Sequence, residues 1–406
     1  MDREIDCLGI IVSDYFDVII AGGSISGLLA AREIAALGNR SVAVFEEDSE
    51  IGTPEHCGGL VSVDGLKDLR LIPGANVIQN KIRRAKVFSR SQSFTFDTIG
   101  QKVLALDRRM LDKQVALQAQ RMGVEIKTRN SVRSLLEKNQ AVDNKEQDLT
   151  RSIKTSEGEY SCKFLIDARG ASSLIPNKRE GVLQSAQYEI YASWIDKDTA
   201  EIQLDADKYP GFFAWIIPTG AGTGKVGVAG KGINAANALK SYLDSKGEKY
   251  SVVRQVFAPI WVSGPIENFV RGRYTVVVGD AAGQTKPTTA GGIYTCGMGG
   301  ILAGRTVSRA IEKDDVNILL DYKKSWLSMF HDEFERMLLF RRVLERLDNK
   351  ALDQLFVAIS KTKLEDISRT GNFDFHTVAL RKLFESPEGM RILRIFLGNE
   401  IRRLLG

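Results

Sequence analysis

The chain has 406 residues, 43% of them hydrophobic and 26% charged, a balance typical of folded proteins that excludes disordered and collagen-like classes. The net charge of +5 is too small to indicate nucleic-acid binding. The four cysteines form no Cys-x-x-Cys pair, so we expect neither a disulfide framework nor a structural zinc site. At roughly 100–200 residues per domain, the length predicts two or three domains.

No apolar run approaches the roughly 18–20 residues that a membrane-spanning helix needs. The N-terminal stretch has neither a basic start nor a cleavage-like segment, so we expect no signal peptide. Few, scattered cysteines favour a reducing compartment. We therefore expect a cytoplasmic protein, with peripheral contact at the inner face of the cell membrane as an open option.

Residues 16–46 carry the pattern of a dinucleotide-binding βαβ unit. An apolar strand leads into Gly-Gly-Ser-Ile-Ser-Gly, an Ala- and Leu-rich helix follows, and a second strand ends in an acidic pair. In such units the pyrophosphate lies at the helix N-terminus and the acid binds the ribose hydroxyls. The alternative is a parallel α/β unit that binds no nucleotide. The expected cofactor contacts are Gly22, Gly23, Ser24, Ser26, Gly27, Glu46 and Glu47.

Two later strands also run into turns of small residues. Residues 162–167 end in the turn Asp167-x-x-Gly170, and residues 271–278 lead to Gly279-Asp280 and then to Gly291-Gly292. Either turn alone could be a tight strand–helix connection. Their occurrence after the βαβ unit, in this order, favours one shared nucleotide site.

With these three turns, the sequence resembles FAD-binding proteins of the p-hydroxybenzoate hydroxylase-like superfamily. The resemblance implies that Asp280 holds the ribityl hydroxyls, and that Gly291, Gly292 and Ile293 bring backbone N–H groups to the pyrimidine edge of the flavin. A helix N-terminus there would stabilise a reduced, anionic flavin by ~0.3–1 kcal/mol. Residues 106–112 resemble the family's helix start, which makes Arg108 a cofactor contact or, alternatively, a solvated basic residue.

Two further segments are similar to the geranylgeranyl reductase family, which carries a Pro…Cys-Gly-Gly motif and a Tyr-x-Trp-x-Phe-Pro…Gly-x-Gly motif. Residues 54–59 match the first and residues 213–229 match most of the second. Phe213, Ile217 and Ala229 stand where the family has Tyr, Phe and the second Gly. The resemblance spans about residues 15–305. It implies FAD-dependent reduction of isolated C=C bonds in geranylgeranyl chains, on archaeal-type membrane glycerolipid precursors.

That reaction adds a hydride and a proton to an alkene, so it needs a dry apolar site and a positioned acid. Cys57 and His56 are the candidate catalytic groups, and Cys57 and Gly58 also lie on the loop expected near the flavin. The alternatives are a merely packed thiol at Cys57 and a surface residue at His56. The expected substrate contacts, which could instead be strand core, are Phe213, Trp215, Pro218 and Gly227.

The predicted fold class is α/β, with a discontinuous Rossmann-like FAD-binding domain (residues 15–70, 101–175 and 268–312). An inserted antiparallel-sheet substrate domain (71–100 and 176–267) and a C-terminal helical region (313–406) complete it. No second Rossmann fingerprint is present, so we expect an external electron donor: ferredoxin, a deazaflavin or NAD(P)H. The tail, residues 391–406, reads as a basic amphipathic helix that rests on anionic lipid or packs on the protein.

Two other functions stay open at this stage. One is an aromatic or quinone hydroxylase that uses FAD, NAD(P)H and oxygen. The other is a flavin electron-transfer protein without a substrate of its own.

Overall fold

The computed structural model describes residues 14–137, 151–173, 181–360 and 373–375. The strands are β1 (Tyr15–Ala21), β2 (Val42–Phe45), β3 (Leu60–Ser62), β4 (Ile78–Ile82), β5 (Arg84–Phe88), β6 (Ser93–Asp97), β7 (Val103–Leu106), β8 (Glu125–Lys127), β9 (Val132–Glu137), β10 (Arg151–Thr155), β11 (Glu159–Asp167), β12 (Val182–Tyr191), β13 (Thr199–Gln203), β14 (Ala214–Gly220), β15 (Thr223–Gly230), β16 (Ser251–Trp261), β17 (Val270–Arg271) and β18 (Thr275–Val277). The helices are α1 (Ile25–Ala35), α2 (Val63–Asp68), α3 (Arg108–Arg121), α4 (Ala235–Asp244), α5 (Ile293–Glu312), α6 (Leu320–Leu344) and α7 (Asn349–Ser360).

The first sheet has the strand order β17-β18-β11-β1-β2-β8, and the β9–β10 pair joins it at β11. Its centre is parallel: β1 pairs with β2 and with β11, and β11 pairs with β18. The buried apolar run of β1 suits a strand covered on both faces. Because parallel strands end at the same edge, the turns after β1, β2, β11 and β18 meet there, as the sequence predicts.

Helices α1 and α5 pack closely against each other along one face of this sheet. A Cβ atom at Gly300 of α5 would lie 2.1 Å from the carbonyl oxygen of Ser26, and one at Gly304 would lie 2.7 Å from that of Ala30. The glycines therefore let the two backbones approach, which places the N-terminus of α5 beside the turn before α1.

The second sheet has the order β16-β12-β15-β14-β13-β5-β6. It is antiparallel as predicted, except that β13 pairs with β5 in parallel, because β5 and β6 enter as a hairpin from a separate part of the chain. Strand β4 differs from the sequence-based assignment: it pairs with β7 in a small sheet with β3. Residues of that sheet share an apolar cluster with Ile217 of β14.

The C-terminal part is helical, as the periodicity predicts. Tyr322, Trp326 and Phe330 of α6 are buried together in the core under the first sheet. The polar segment at residues 138–148, whose composition is typical of a hairpin tip, and the basic tail at residues 391–406 lie outside the described residues. Within the described ranges, no helix has the length and apolar character needed to cross a membrane. The predicted α/β class, with a Rossmann-like sheet, a second sheet and helices toward the C-terminus, is confirmed.

Candidate active site

The turn between β1 and α1 is packed too closely for side chains at its glycines. Gly22 has φ +113°, and a Cβ atom there would lie 2.3 Å from the carbonyl oxygen of Ala168, so only glycine fits. The backbone N–H of Gly23 donates to Glu46 Oε2 at 2.8 Å. A Cβ at Gly27 would lie 2.1 Å from the carbonyl oxygen of Gly22. The three glycines thus let the turn before α1 pack closely against its neighbours.

The two serines around this turn differ in exposure, and so do the two glutamates. Ser24 is exposed, whereas Ser26 is buried, and their Oγ atoms lie 3.4 Å apart. Burial raises the pKa of Glu46, which faces the turn. Glu47 is exposed and accepts a hydrogen bond from Ser131 at 3.4 Å. Glu46 therefore takes the position expected of the ribose-binding acid, and Glu47 lies beside it with different partners.

Asp280 lies in the 3₁₀ turn Gly279–Ala282 that follows β18. Its carboxylate accepts hydrogen bonds from the Thr285 hydroxyl and from the Cys296 thiol, the latter at 3.3 Å. Burial, with a contribution from Asp280, raises the pKa of Cys296 well above its usual value, so this thiol stays a donor. A Cβ at Gly292, just before α5 begins at Ile293, would lie 3.4 Å from Asp280 Oδ1. Asp280 and the N-terminus of α5 thus lie side by side.

Cys57 lies on the loop of residues 54–59, called the Cys57 loop below, and approaches Arg108 at the start of α3. The Cys57 Sγ atom accepts the Gly59 N–H at 3.3 Å, and the Arg108 guanidinium lies close enough to interact with it electrostatically. Arg108 is fixed by Asp112, with 3.0 and 3.1 Å bonds, and its side chain is only 11% exposed. The solvated alternative for Arg108 is therefore wrong. Its buried Nε atom has no hydrogen-bond partner within the part of the chain that is described.

His56 does not share the position of Cys57. Its side chain is exposed, and it interacts electrostatically with Asp48 and Glu47. These belong to the segment after β2. The structure therefore separates the two candidate catalytic residues of the loop, and the surface alternative fits His56.

Beneath this loop lies a buried ion pair that the sequence interpretation missed. Lys225 Nζ is 2.6 Å from Glu55 Oε1, and both side chains are 0% exposed. The same Glu55 oxygen accepts the backbone N–H of Arg108 at 2.9 Å, and Lys225 also donates to the Leu106 carbonyl at 3.0 Å. A lone lysine inside the small, apolar strand β15 was the available signal, because a buried lysine requires a partner.

An aromatic wall at the start of β14, formed by Phe212, Phe213 and Trp215, faces this loop and the start of α5. The rings of Phe212 and Phe213 are stacked at 4.1 Å, and Trp215 packs edge-on against Phe213 at 6.1 Å. Ala290, next to the Gly291-Gly292 pair, packs into the same cluster. The structure therefore brings two of the predicted substrate contacts, Phe213 and Trp215, beside the predicted flavin-binding loop.

The other two predicted substrate contacts are differently placed. Gly227 is buried beneath Trp215: a Cβ atom there would lie 2.2 Å from the Cζ2 atom of the indole. Pro218 is buried at the far end of β14, where its carbonyl accepts a hydrogen bond from Asn80 at 3.0 Å. Gly227 therefore shapes the wall through Trp215, whereas Pro218 contacts Asn80 instead.

Gln187 joins the wall to the loop, and no sequence motif indicates this role. Its Nε2 atom donates to the Cys57 carbonyl at 3.3 Å, and its Oε1 atom accepts the Trp215 indole N–H at 3.2 Å. Gln187 is buried. No group of His, Cys, Asp and Glu suited to a metal ion occurs among the described residues.

No family model matches the chain, but individual proteins do. The chain is 31% identical over 399 residues to digeranylgeranylglycerophospholipid reductase 2 of Methanothermobacter thermautotrophicus, covering 94% of this chain and 100% of the relative. The chain belongs to the digeranylgeranylglycerophospholipid reductase family. This membership confirms the family that residues 54–59 and 213–229 indicate.

Solved structures agree in fold with this family assignment. A geranylgeranyl bacteriochlorophyll reductase-like protein from Thermoplasma acidophilum superposes with a TM-score of 0.82, at 22% identity, over 95% of this chain and 100% of that one. The myxobacterial chondrochloren halogenase, an FAD-dependent enzyme, gives a TM-score of 0.62 at 14% identity over 95% and 97%. At these identities the likeness concerns the fold alone.

Proposed function

We propose that this protein is an FAD-dependent oxidoreductase that saturates isolated C=C bonds in the geranylgeranyl chains of membrane glycerolipid precursors. The observation that carries the proposal is the full-length relationship to a digeranylgeranylglycerophospholipid reductase. The apolar, aromatic wall beside the Cys57 loop suits a prenyl chain. The relatives' name supplies the glycerophospholipid part of the substrate.

The residues present fit FAD. The turn at Gly22, where an added Cβ would clash with the Ala168 carbonyl, would hold the pyrophosphate at the start of α1, and Glu46, which accepts the Gly23 N–H, would bind ribose hydroxyls. Asp280, which is exposed, would bind the ribityl chain, and Gly291, Gly292 and Ile293 would present backbone N–H groups at the start of α5. FAD, once reduced, supplies the hydride.

The proton has a candidate source in this chain. Cys57 Sγ already accepts the Gly59 N–H, so its own hydrogen is free to be donated to a substrate carbon. The Arg108 guanidinium beside it would stabilise the thiolate that remains after transfer. Solvent would then restore the thiol proton, because Cys57 is only half-buried.

The substitutions that distinguish this chain alter the wall in two ways. Phe213 lacks the hydroxyl of the tyrosine that the resemblance places there, so no phenol is offered to a polar head. Ile217, in place of phenylalanine, packs against the loop: a Cβ at Gly58 would lie 2.6 Å from Ile217 Cδ1. Both changes keep the surface apolar, which preserves the dry environment that protonation of an alkene requires.

The proposal includes two expectations, one about the electron donor and one about membrane contact. We expect an external donor, namely ferredoxin, a deazaflavin or NAD(P)H, and peripheral contact with the membrane that carries the lipid. A reconstitution series with each donor would identify the first. Flotation with lipid vesicles, comparing the full chain with a chain truncated before residue 391, would test the second.

Anaerobic enzyme with reduced flavin, incubated with a geranylgeranyl glycerophospholipid and followed by mass spectrometry, tests the proposed function. We expect stepwise gains of two hydrogens. Hydroxylated product formed with NAD(P)H and oxygen would instead support the hydroxylase. Flavin that exchanges electrons with a partner protein but never changes a lipid would support the electron-transfer protein.

A further inference from the structure

The inner face of the second sheet holds the Cys57 loop through two neighbouring rows of side chains. In the first row, Gln187 on β12 lies opposite Gly227 on β15, which lies opposite Trp215 on β14. In the second row, two residues along each strand, Glu189 lies opposite Lys225, and Arg254 of β16 pairs with Glu189. Alternation along strands puts both rows on the same face.

The side chains of each row contact a different residue of the Cys57 loop. The second row binds Glu55, through the 2.6 Å bond from Lys225 and through Arg254, whose NH1 atom lies 3.6 Å from Glu55 Oε2. The first row binds the backbone at Cys57, through Gln187 alone. The loop is thus held by one charged anchor and one neutral anchor, two residues apart.

The missing side chain of Gly227 makes the neutral anchor possible. Because no Cβ is present, the Trp215 indole lies across Gly227 and its N–H reaches Gln187 on the strand beyond. The bond to Oε1 fixes the orientation of the amide, so that Nε2 faces the Cys57 carbonyl. Gln187 therefore hydrogen-bonds both to Trp215 of the aromatic wall and to the backbone of the Cys57 loop.

We propose that Gln187 is a positioning residue that sets the distance between the Trp215 wall, where the alkene would lie, and the Cys57 thiol. This inference rests on the proposed function for the role of the thiol. Misplacement of reacting groups by about 1 Å can cost about a hundredfold in rate. Loss of both Gln187 hydrogen bonds is therefore expected to lower kcat about ten- to a hundredfold, with flavin content unchanged.

Gln187→Leu and Gln187→Glu separate this role from simple packing. Leucine makes neither bond at any pH. A protonated glutamic acid can accept from Trp215 and donate to the Cys57 carbonyl as glutamine does, whereas its carboxylate repels that carbonyl. Burial raises the pKa of such a carboxyl. We expect Gln187→Glu to approach wild-type kcat at low pH and to fall to the Gln187→Leu level as pH rises.

Other charged groups lie near Gln187. Their effects on kcat must cancel when the pH profiles of the two variants are compared. Glu189, Lys225 and Arg254 line the adjacent row, and Glu55 and Arg108 face it from the loop and from α3. All are present in both variants, so the ratio of the two pH profiles reports the introduced carboxyl alone. Gln184→Leu is the matched control, because Gln184 lies on the same strand but is exposed and binds the Gly232 N–H.

The rate of Cys57 alkylation by iodoacetamide, in a Cys7→Ser background, gives a readout that needs no substrate. We expect faster alkylation in Gln187→Leu than in wild type or Gln184→Leu, because the loop has lost an anchor. Equal kcat and equal alkylation in Gln187→Leu and wild type would overturn the inference. Wild-type enzyme that reduces no prenyl lipid would overturn the proposed function instead, while the alkylation result would still decide the anchor.

Discussion

Lys225 and Glu55 form a fully buried ion pair, with 2.6 Å between Nζ and Oε1. The pair connects β15 of the second sheet to the loop that carries Cys57, and through the Arg108 N–H it also reaches the start of α3. Two buried charges are retained only when their partners satisfy them. The pair therefore fixes the loop between the two sheets.

Lys225→Met is expected to destabilise the protein strongly, because it leaves the Glu55 carboxylate buried without its main partner. Breaking one side of a buried pair costs about 3–5 kcal/mol, measured as the free energy of unfolding in urea. The double variant Lys225→Met with Glu55→Gln should recover part of that loss, since it removes the stranded charge. The exposed pair Lys67–Asp64, at 2.8 Å, supplies the control: Lys67→Met should change stability far less. Equal losses from the two lysine variants would contradict the account.

Gly22→Ala is expected to abolish stable FAD binding. The added methyl group would lie 2.3 Å from the Ala168 carbonyl at φ +113°, a strain of roughly 1–3 kcal/mol that the phosphate turn must absorb by moving. Flavin content of the purified protein measures the effect. Gly38→Ala is the matched control, since Gly38 also has positive φ (+70°) but open space around the added methyl. Full flavin content in Gly22→Ala would remove this turn from the proposed site.

Cys57→Ala should lower turnover about 10²–10⁴-fold if the thiol is the proton donor, while flavin content stays normal. Cys162→Ala, at a buried thiol in β11 of the first sheet, is the control and should leave turnover unchanged. A Cys57→Ala enzyme with wild-type kcat would show that another group, or ordered water, delivers the proton. That outcome would leave the family assignment intact.

Stability at alkaline pH is expected to depend on Cys162. Burial raises the pKa of this thiol to about 12, from 9.0. Below the lower value both states carry the proton. Between the two values the unfolded chain loses it while the folded chain keeps it, so stability falls by up to about 1.4 kcal/mol per pH unit. Cys162→Ser lacks this titration, so its stability gap to wild type should shrink between about pH 8 and about pH 10.5. A constant gap in urea unfolding would contradict the assignment.

Much of the fold could be predicted because its signals are local. The glycine turn at Gly22, the acid at Glu46 and the Gly279-Asp280 turn each follow a strand, and the rule that parallel strands end at one edge brings them together. The helical face of Tyr322, Trp326 and Phe330 follows from period alone. The pairing of β4 with β7 was not predicted, because strand pairing partners are not encoded in the strand's own pattern.

The site was less accessible to sequence reasoning where it depends on pairing between distant strands. Gln187, Lys225 and Glu55 become a unit only through the register of β12, β15 and the loop before β3. His56 and Cys57 are adjacent in sequence but have different surroundings, since the direction of a loop side chain follows from its tertiary contacts. Gly227 leaves space for the Trp215 indole, but no local sequence pattern distinguishes it from an ordinary glycine in a strand.

The most direct test of the proposed function is an anaerobic single turnover observed at the flavin. Enzyme with reduced FAD is mixed with a geranylgeranyl glycerophospholipid in the absence of oxygen and of any other acceptor, and the absorbance of oxidised flavin is followed. The account predicts that the lipid reoxidises the flavin, with one flavin oxidised for each pair of hydrogens gained by the lipid. Flavin that stays reduced with the lipid and reoxidises only when oxygen is admitted would contradict it.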